Sequence, residues 1–238
     1  MFQLSDKGRG VRQMFDGIAP RYDLLNRLLS LGIDRRWRRF AVGQLQIPKG
    51  GRVLDIATGT CDVALEIARQ TDPSVTIVGE DFTQGMLVQG QQKLNNSSYR
   101  DRITLVNAPC EEIPHPDNSF DGITIAFGIR NVVDRQAGLK EMVRVLKPGG
   151  RAVILEFSHP RSRLFRNIYY FYFQKILPWI GGLLSTRSAY QYLPDSVLEF
   201  PSQEEFKQMM GDAGFQRLQS CDLTFGIATV YVGDKSTA

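Results

Sequence analysis

The stretch RVLDIATGTCD, residues 52–62, decides the fold of this chain. A short apolar run ends at Asp55, a loop of small residues follows, and the next segment, VALEIAR at 63–69, has apolar residues at helical spacing. This succession predicts a strand, a tight turn and a helix. Such a unit typically begins a sheet that binds a nucleotide at the carboxyl ends of its strands.

The charge of the loop indicates which nucleotide it suits. A dinucleotide-binding turn carries three glycines and places a pyrophosphate at the helix N-terminus. Here the loop offers Gly59, flanked by the acids Asp55 and Asp62. Carboxylates repel a pyrophosphate but suit a ligand that carries an ammonium group, so S-adenosylmethionine fits better than NAD. The alternative is a turn that binds no nucleotide, with Asp62 as a helix cap.

Composition bounds the class of protein. A chain of 238 residues with 42% hydrophobic content can bury one sizeable core, so we expect one domain. The net charge of +4 is too small to argue for nucleic acid. Three widely spaced cysteines and two histidines support neither a disulfide framework nor a metal site. With no apolar leader and no uncharged stretch long enough to span a bilayer, we expect a cytoplasmic protein.

Further strand-like runs place polar residues at the same edge of the sheet. The run at 74–79 leads into Asp81 and Phe82, a carboxylate that could accept from both ribose hydroxyls and a ring that could lie on an adenine. The alternative for Asp81 is a helix cap. A fourth run leads into FGIRNV at 127–132, and KPGG at 147–150 predicts a turn before a fifth strand. Two last runs, near 217–223 and 227–232, predict a hairpin.

The N-terminal region is helical in character. Apolar residues recur at helical spacing on both sides of Pro20, and RRWRR at 35–39 adds a basic stretch. One interpretation is a cap over the active site, with Tyr22, Asp23 and Asn26 facing a substrate. The other is a helical layer whose basic face is solvated.

Taken together, these pieces resemble the class I S-adenosylmethionine-dependent methyltransferases, and within them the quinone-biosynthesis C-methyltransferases. The resemblance spans nearly the whole chain and lies in YDLLN at 22–26 through Trp37, PDNSFD at 116–121, FGIRNV at 127–132, and RVLKPGG at 144–150 through Glu156-Phe157-Ser158. It implies an α/β Rossmann-like, seven-stranded mixed sheet with the last strand antiparallel, helices on both faces and an N-terminal helical cap. We expect a single domain over 1–238, with the cap at 1–48 and a lid at 160–195.

The resemblance also implies an activity and a set of cofactor contacts. The reaction would be methylation of a ring carbon of a polyprenylated quinol, demethylmenaquinol to menaquinol, with the ubiquinone precursor as an alternative or additional substrate. By position, the residues that match the cofactor contacts are Asp55, Gly59, Thr60 and Asp81.

Four positions depart from the family pattern. Cys61 stands where the family usually has Gly, and Ala126 replaces a frequent Ser. Pro109 and Cys110 stand near the adenine, where an Asn or Asp and a small residue are usual. Proline has no side-chain acceptor for the adenine amine, so the backbone N–H of Cys110 is left to recognise that edge.

The chemistry suggests roles for other residues. A quinol carbon attacks a sulfonium methyl only as the neighbouring hydroxyl loses its proton. Arg130 is a poor base but a good oxyanion partner, and we assign it this role with Asn131 beside it. Asp23, Glu156, a water held by Asn131 and His159 all stay open as the proton acceptor. Alternatively, Arg130 and Asn131 only cap the fourth βα turn.

The segment 161–187 mixes basic and aromatic residues, which suits a lid that rests on the inner face of a membrane; a buried helix with a basic rim is the alternative. A homodimer also stays open. Two other functional classes remain: a cofactor-binding protein that has lost catalysis, and a methyltransferase that acts on a soluble small molecule.

Overall fold

The computed structural model describes residues 5–158 and 187–237 of the chain. Within them seven strands form one sheet: β1 (Arg52–Ile56), β2 (Thr76–Asp81), β3 (Ile103–Asn107), β4 (Phe120–Ala126), β5 (Leu146–Phe157), β6 (Phe215–Leu223) and β7 (Ala228–Lys235). The helices are α1 (Asp6–Ile18), α2 (Tyr22–Leu29), α3 (Asp34–Val42), α4 (Asp62–Gln70), α5 (Gln84–Asn95), α6 (Arg135–Val145), α7 (Arg187–Leu198) and α8 (Gln203–Ala213).

The strand order is β3-β2-β1-β4-β5-β7-β6, and β7 runs antiparallel to both of its neighbours. This confirms the seven-stranded mixed sheet with its last strand antiparallel and the hairpin at the end of the chain. The order reverses between β1 and β4, which pair in parallel. In open α/β sheets ligands bind at such a reversal, outside the carboxyl ends of the strands.

Both faces of the sheet are covered. Alternate residues of β1 point to opposite faces, so Leu54 joins one apolar cluster and Val53 another. The first cluster includes Met142 of α6 and Phe206 of α8, and the second includes Ile67 of α4. In β4, Ile123 and Ile125 join the first cluster. Burial on both faces is why the centre of β1 carries apolar residues on both sides, Val53 and Leu54.

Two predicted strand limits need correction. Strand β2 continues to Asp81, because the residue still pairs with Asn107 of β3. The predicted turn at 147–150 lies inside β5, where pairing with β4 shifts between Phe120↔Leu146 and Gly122↔Arg151. The extra residues form a bulge, and Gly149 there has a φ of +76°.

The N-terminal helices pack against the sheet and against α5. A short 3₁₀ turn at Ala19–Arg21 separates α1 from α2, as the position of Pro20 predicts. Trp37 of α3 is buried on the β5–β7 end of the sheet, and its indole N–H donates to Thr224 Oγ1 at 2.8 Å. The predicted lid at 160–195 lies outside the described residues, apart from the part of α7 that it contains. None of the described helices is long and apolar enough to cross a membrane.

Candidate active site

The loop after β1 is fixed from below by Asp55. This side chain is fully buried, and its carboxylate accepts from Thr58 Oγ1 at 2.6 Å and from Thr124 Oγ1 at 2.7 Å. Burial raises the pKa of Asp55 to about 6. Each oxygen of Asp55 thus accepts one threonine hydroxyl, which fixes the shape of the loop; its role as a cofactor contact stays a prediction.

Asp81 lies at the end of the adjacent strand and joins the same loop. Its carboxylate accepts from the backbone N–H of Gly59 at 2.9 Å and of Thr83 at 2.8 Å, one at each oxygen. Each oxygen keeps a lone pair that a ribose hydroxyl could use. Burial raises the pKa of Asp81 to about 6. The sequence prediction that Gly59 and Asp81 belong to one site agrees with this geometry.

A narrow cleft opens beside Asp81, where the loops after β1, β2, β3 and β4 meet. It brings together three residues that the sequence assigned to the cofactor, Phe82, Pro109 and Cys110, and one assigned to catalysis, Asn131. Gly8 of α1 lines the cleft from the N-terminal side. The full lining is Gly8, Ile56, Ala57, Phe82, Ala108, Pro109, Cys110, Glu111, Gly128, Asn131, Val132 and Val133.

The cleft suits an uncharged purine. Among these lining residues there is no lysine or arginine to meet a phosphate, while Phe82 offers a ring for stacking. A side chain at Gly128 would place its Cβ 2.5 Å from the Cβ of Ala57, so a glycine is needed where the two loops touch. Ala126, at the end of β4, is half-buried against the sheet core below.

Asp62 and Thr60 face away from this cleft, toward the cap. Asp62 accepts from Arg38 at 2.9 Å and from Lys93 at 2.6 Å. Burial alone would raise the pKa of Asp62, but the charges of Arg38 and Lys93 lower it below its usual value. This corrects the expectation that Asp62 binds the ammonium group of a ligand, because two protein cations already neutralise its carboxylate.

Asp23 belongs to the same polar cluster. It accepts from Thr60 Oγ1 at 2.6 Å and pairs with Lys93 at 2.7 Å. It lines a crevice between α2 and α5 with Gln89 and Gln92, and shares no lining residue with the cleft of Asn131. The structure therefore does not bring Asp23 to Arg130, and its carboxylate is already engaged by Thr60 and Lys93.

Tyr22 of α2 does reach the cofactor loop. The ring of Tyr22 comes within 3.8 Å of the point where a Cβ on Gly59 would stand. Gly59 has a φ of +55°, a left-handed conformation that favours glycine, and the Tyr22 ring packs over it. Asn26, one turn further along α2, is half-buried, and its backbone carbonyl accepts from the Ser30 N–H at 2.9 Å.

Arg130 is held in a buried ion pair. Its Nη1 donates to Glu156 Oε1 at 2.7 Å and to the Phe127 carbonyl at 2.6 Å, and its backbone N–H donates to Glu156 Oε2 at 3.2 Å. The side chain of Glu156 is fully buried. Two expectations change as a result: Glu156 cannot reach a substrate proton, and the charge of Arg130 is already compensated.

Asn131 is positioned by a residue that the sequence did not suggest. Its Oδ1 accepts from the hydroxyl of Tyr192 on α7 at 3.0 Å. Its Nδ2 makes a long hydrogen bond of 3.5 Å to the Phe127 carbonyl, and the second N–H of that amide has no partner within the described residues, so a ligand could accept from it.

An aromatic wall stands beside these polar groups. Phe127 and Phe157 have ring centroids 4.6 Å apart, and Trp37 lies 6.1 Å and 6.2 Å from them. The guanidinium of Arg130 lies 5.4 Å from the Phe157 ring centroid. Phe127 has a φ of +57°, an unfavourable conformation for an aromatic residue, of the kind that persists at functional sites.

The model of the ubiE/COQ5 methyltransferase family matches residues 2–235. This chain belongs to that family. A Geobacter sulfurreducens protein named ubiquinone/menaquinone biosynthesis C-methyltransferase UbiE is 66% identical over 235 residues, covering 99% of this chain and 92% of that one. A Deinococcus radiodurans protein named demethylmenaquinone methyltransferase is 51% identical over 231 residues, covering 97% and 94%.

Solved structures show the same fold at low identity. A SAM-dependent methyltransferase from Aquifex aeolicus has a TM-score of 0.62 at 17% identity, covering 83% of this chain and 88% of its own. The cyclase SpnF has a TM-score of 0.73 at 15% identity, covering 97% of both chains. The family uses S-adenosylmethionine, which supplies the electrophilic methyl group; Asp81 and Phe82 would hold its ribose and adenine.

The family departures are accommodated locally. Cys61 has a φ of +69°, the conformation that the usual glycine adopts at no steric cost. Its buried sulfur occupies space left by Gly90, where an added Cβ would lie 2.5 Å from the Sγ. Gly138 leaves similar room for Cys110, at 2.8 Å.

Two supporting groups had no clear signal in the sequence. Lys93 links the cap to the cofactor loop through Asp23 and Thr60. Glu80 is buried with its Oε1 3.0 Å from His115 Nε2, but the two atoms form no hydrogen bond, and burial lowers the pKa of His115 and so disfavours an ion pair. Burial, assisted by the charge of Glu141, raises the pKa of Glu80 to about 7. In the described part of the chain, no group of three or more His, Cys, Asp or Glu could hold a metal ion.

Proposed function

We propose that this member of the family methylates the ring carbon of demethylmenaquinol to give menaquinol. The observation that carries the proposal is the aromatic wall, in which the partly buried rings of Phe127 and Phe157 pack against the buried Trp37, close to the amide of Asn131. A flat fused-ring quinol can stack on such a wall while its hydroxyl meets the amide. The name of the Deinococcus relative supports the same substrate.

Asn131, Tyr192, Arg130 and Glu156 would have different roles in the reaction. The quinol oxygen becomes negative as its hydroxyl loses a proton, and Asn131 Nδ2 would donate to that oxygen. The charge then passes through the ring to the neighbouring carbon, which takes the methyl group as the sulfur–methyl bond breaks, and the carbon loses its own proton to restore the aromatic ring. Tyr192 fixes the amide orientation from the other side, by donating to Asn131 Oδ1. Glu156 and Arg130 hold the Phe127 carbonyl and thus the shape of the loop. A water beside Asn131 would take the proton, since Asp23 and Glu156 are held in ion pairs; Glu111, which lines the same cleft and forms no ion pair among the described residues, is the carboxylate that could receive the proton from that water.

A methyl-transfer assay with two quinols tests the proposal. Purified protein and labelled S-adenosylmethionine are incubated with a short-tailed demethylmenaquinol or with the corresponding benzoquinol precursor of ubiquinone, and products are identified by mass spectrometry. We expect methylation of the naphthoquinol. Asn131→Ala should lower kcat by about two to three orders of magnitude, as loss of one oxyanion donor does, with cofactor affinity nearly unchanged.

The benzoquinol is the second candidate, because the name of the Geobacter relative covers ubiquinone as well as menaquinone biosynthesis. Turnover of the benzoquinol alone would replace our substrate assignment. Tight cofactor binding with no turnover of either quinol would favour a protein that has lost catalysis. Turnover restricted to quinols that lack a prenyl tail would favour a soluble substrate.

A further inference from the structure

The corner between α2 and α3 exposes apolar side chains that the fold does not use. Leu24 is 60% exposed and Leu31 is 77% exposed, whereas the adjacent Leu25 is buried. Leu24 and Arg27 are three residues apart on α2, so they lie on the same outer face. Leu31 follows in the turn that leads to α3.

Leu31 also adopts a conformation that disfavours it. Its φ is +51°, followed by Gly32 at +76°. The turn itself is well built: the Gly32 N–H donates to the Arg27 carbonyl at 2.9 Å, and Ser30 Oγ donates to Asp34 Oδ1 at 2.6 Å. A glycine would suit this position without strain. A leucine that is strained and exposed gains nothing from folding, which points to a role outside the monomer.

Cations surround these leucines. Arg27, Arg35 and Arg36 are exposed, and within the described residues no carboxylate forms a salt bridge with any of them. Other exposed cations, such as Arg9 and Arg69, do pair with neighbouring acids. The cap corner, which we define as Leu24, Arg27, Leu31, Arg35 and Arg36, therefore combines apolar contact area with three arginines that form no salt bridge within the described residues; Arg27 acts on Asp62 only through its field.

We propose that the cap corner is a lipid-binding surface that holds this protein on an anionic bilayer, with Leu24 and Leu31 in the interface and the three arginines at the headgroups. Mixed leucine and arginine character is what an interfacial helix presents to anionic lipid. The inner side of the same helix carries Tyr22, which contacts the cofactor loop. If the proposed function holds, a polyprenylated substrate would pass from the bilayer to the site along this helix.

Vesicle co-flotation of the full chain tests the proposal. We expect binding to phosphatidylcholine vesicles that contain phosphatidylglycerol, weaker binding without it, and release by salt. Leu24→Ser with Leu31→Ser should weaken binding about tenfold. Arg35→Gln with Arg36→Gln should weaken it about fivefold for each charge removed.

Matched controls come from elsewhere on the surface. Val88→Ser on α5 removes an exposed apolar side chain, and Lys140→Gln on α6 removes an exposed cation; neither should alter vesicle binding. Leu31→Gly guards against misfolding, because it relieves the strained φ and should keep or raise the melting temperature while weakening binding.

Several results would overturn the proposal. Wild-type protein that stays unbound at low salt, or corner variants that float like wild type, would do so. So would a leucine variant that converts a dimer to a monomer in light scattering while vesicle binding is unchanged, since the corner would then join two copies. Binding lost equally in the Val88 and Lys140 controls would also count against it. None of these readouts depends on quinol turnover.

Discussion

Arg130→Ala should weaken the fold strongly, because it leaves the Glu156 carboxylate buried without its counter-ion. Glu156 is fully buried and receives its charge-assisted bond from Arg130 Nη1 at 2.7 Å. Two backbone donors remain, the N–H groups of residue 130 and of Phe157, the latter at 2.8 Å. Breaking one side of a buried ion pair lowers the free energy of unfolding by about 3–5 kcal/mol.

In a domain of this size that loss corresponds to a fall in melting temperature of roughly 6–20 °C. Arg130→Lys should recover part of it, because an ammonium can reach Glu156 but cannot also hold the Phe127 carbonyl as the planar guanidinium does. Replacing both partners, Arg130→Met with Glu156→Gln, should be less destabilising than Arg130→Ala, since no buried charge is left unpaired. Urea denaturation of wild type, Arg130→Met, Glu156→Gln and the double variant gives the coupling free energy.

Turnover measured on the same preparations distinguishes this role from a direct catalytic one. We expect the folded fraction of Arg130→Ala to lose less than about a hundredfold in kcat, because only the loop around Phe127 is disturbed. Arg130→Met with Glu156→Gln should recover part of the lost turnover. A melting temperature within a degree or two of wild type, with kcat reduced about a hundredfold or more, would refute the structural account and restore Arg130 as the oxyanion partner.

Three other predictions follow from the site. Asp81→Ala should weaken cofactor binding by about 2 kcal/mol in calorimetry, through loss of charge-assisted hydrogen bonds. In the wild type, affinity for the demethylated cofactor should fall about tenfold per pH unit below pH 6, the value to which burial raises the Asp81 pKa. Gly90→Ala should lower stability by about 1–3 kcal/mol in thermal melts, because its Cβ would lie 2.5 Å from the Cys61 sulfur, and adding Cys61→Gly should restore most of the loss. Lys93→Met should weaken cofactor binding by about 1 kcal/mol in calorimetry, since it leaves Asp23 uncompensated and loosens the cap over the loop, whereas Lys93→Arg should stay close to wild type.

Each of these has a contrary outcome. Cofactor affinity that is unchanged in Asp81→Ala, or flat from pH 8 to pH 5, would remove Asp81 from the site. A related expectation concerns stability without cofactor. Because burial disfavours ionised Asp81 in the folded protein, its contribution to the free energy of unfolding should fall as pH rises from 3.8 toward about 6. Additive effects in the Gly90 and Cys61 pair would show that their contact is not limiting. Equal losses in both Lys93 variants would show that charge is not what matters there.

The sequence by itself determined the kinds of secondary structure and their order along the chain. Apolar strand-like runs, apolar residues at helical spacing and the break at Pro20 depend on neighbours along the chain, so they can be recognised without coordinates, whereas the seven-stranded sheet with its antiparallel last strand was implied by the family resemblance. The position of Asp81 at the end of β2 also follows, because the carboxyl ends of parallel strands meet at one edge.

Only the tertiary structure decided which charges are free. Asp23, Asp62 and Arg130 look like ligand or catalytic groups in the sequence, yet each meets a partner far along the chain: Lys93 for the first two, Glu156 for the third. Tyr192 reaches Asn131 across 61 positions. Pairing over such separations is set by how helices dock on the sheet, and local periodicity carries no record of that docking, so the electrostatics of the site could not be predicted while its location could.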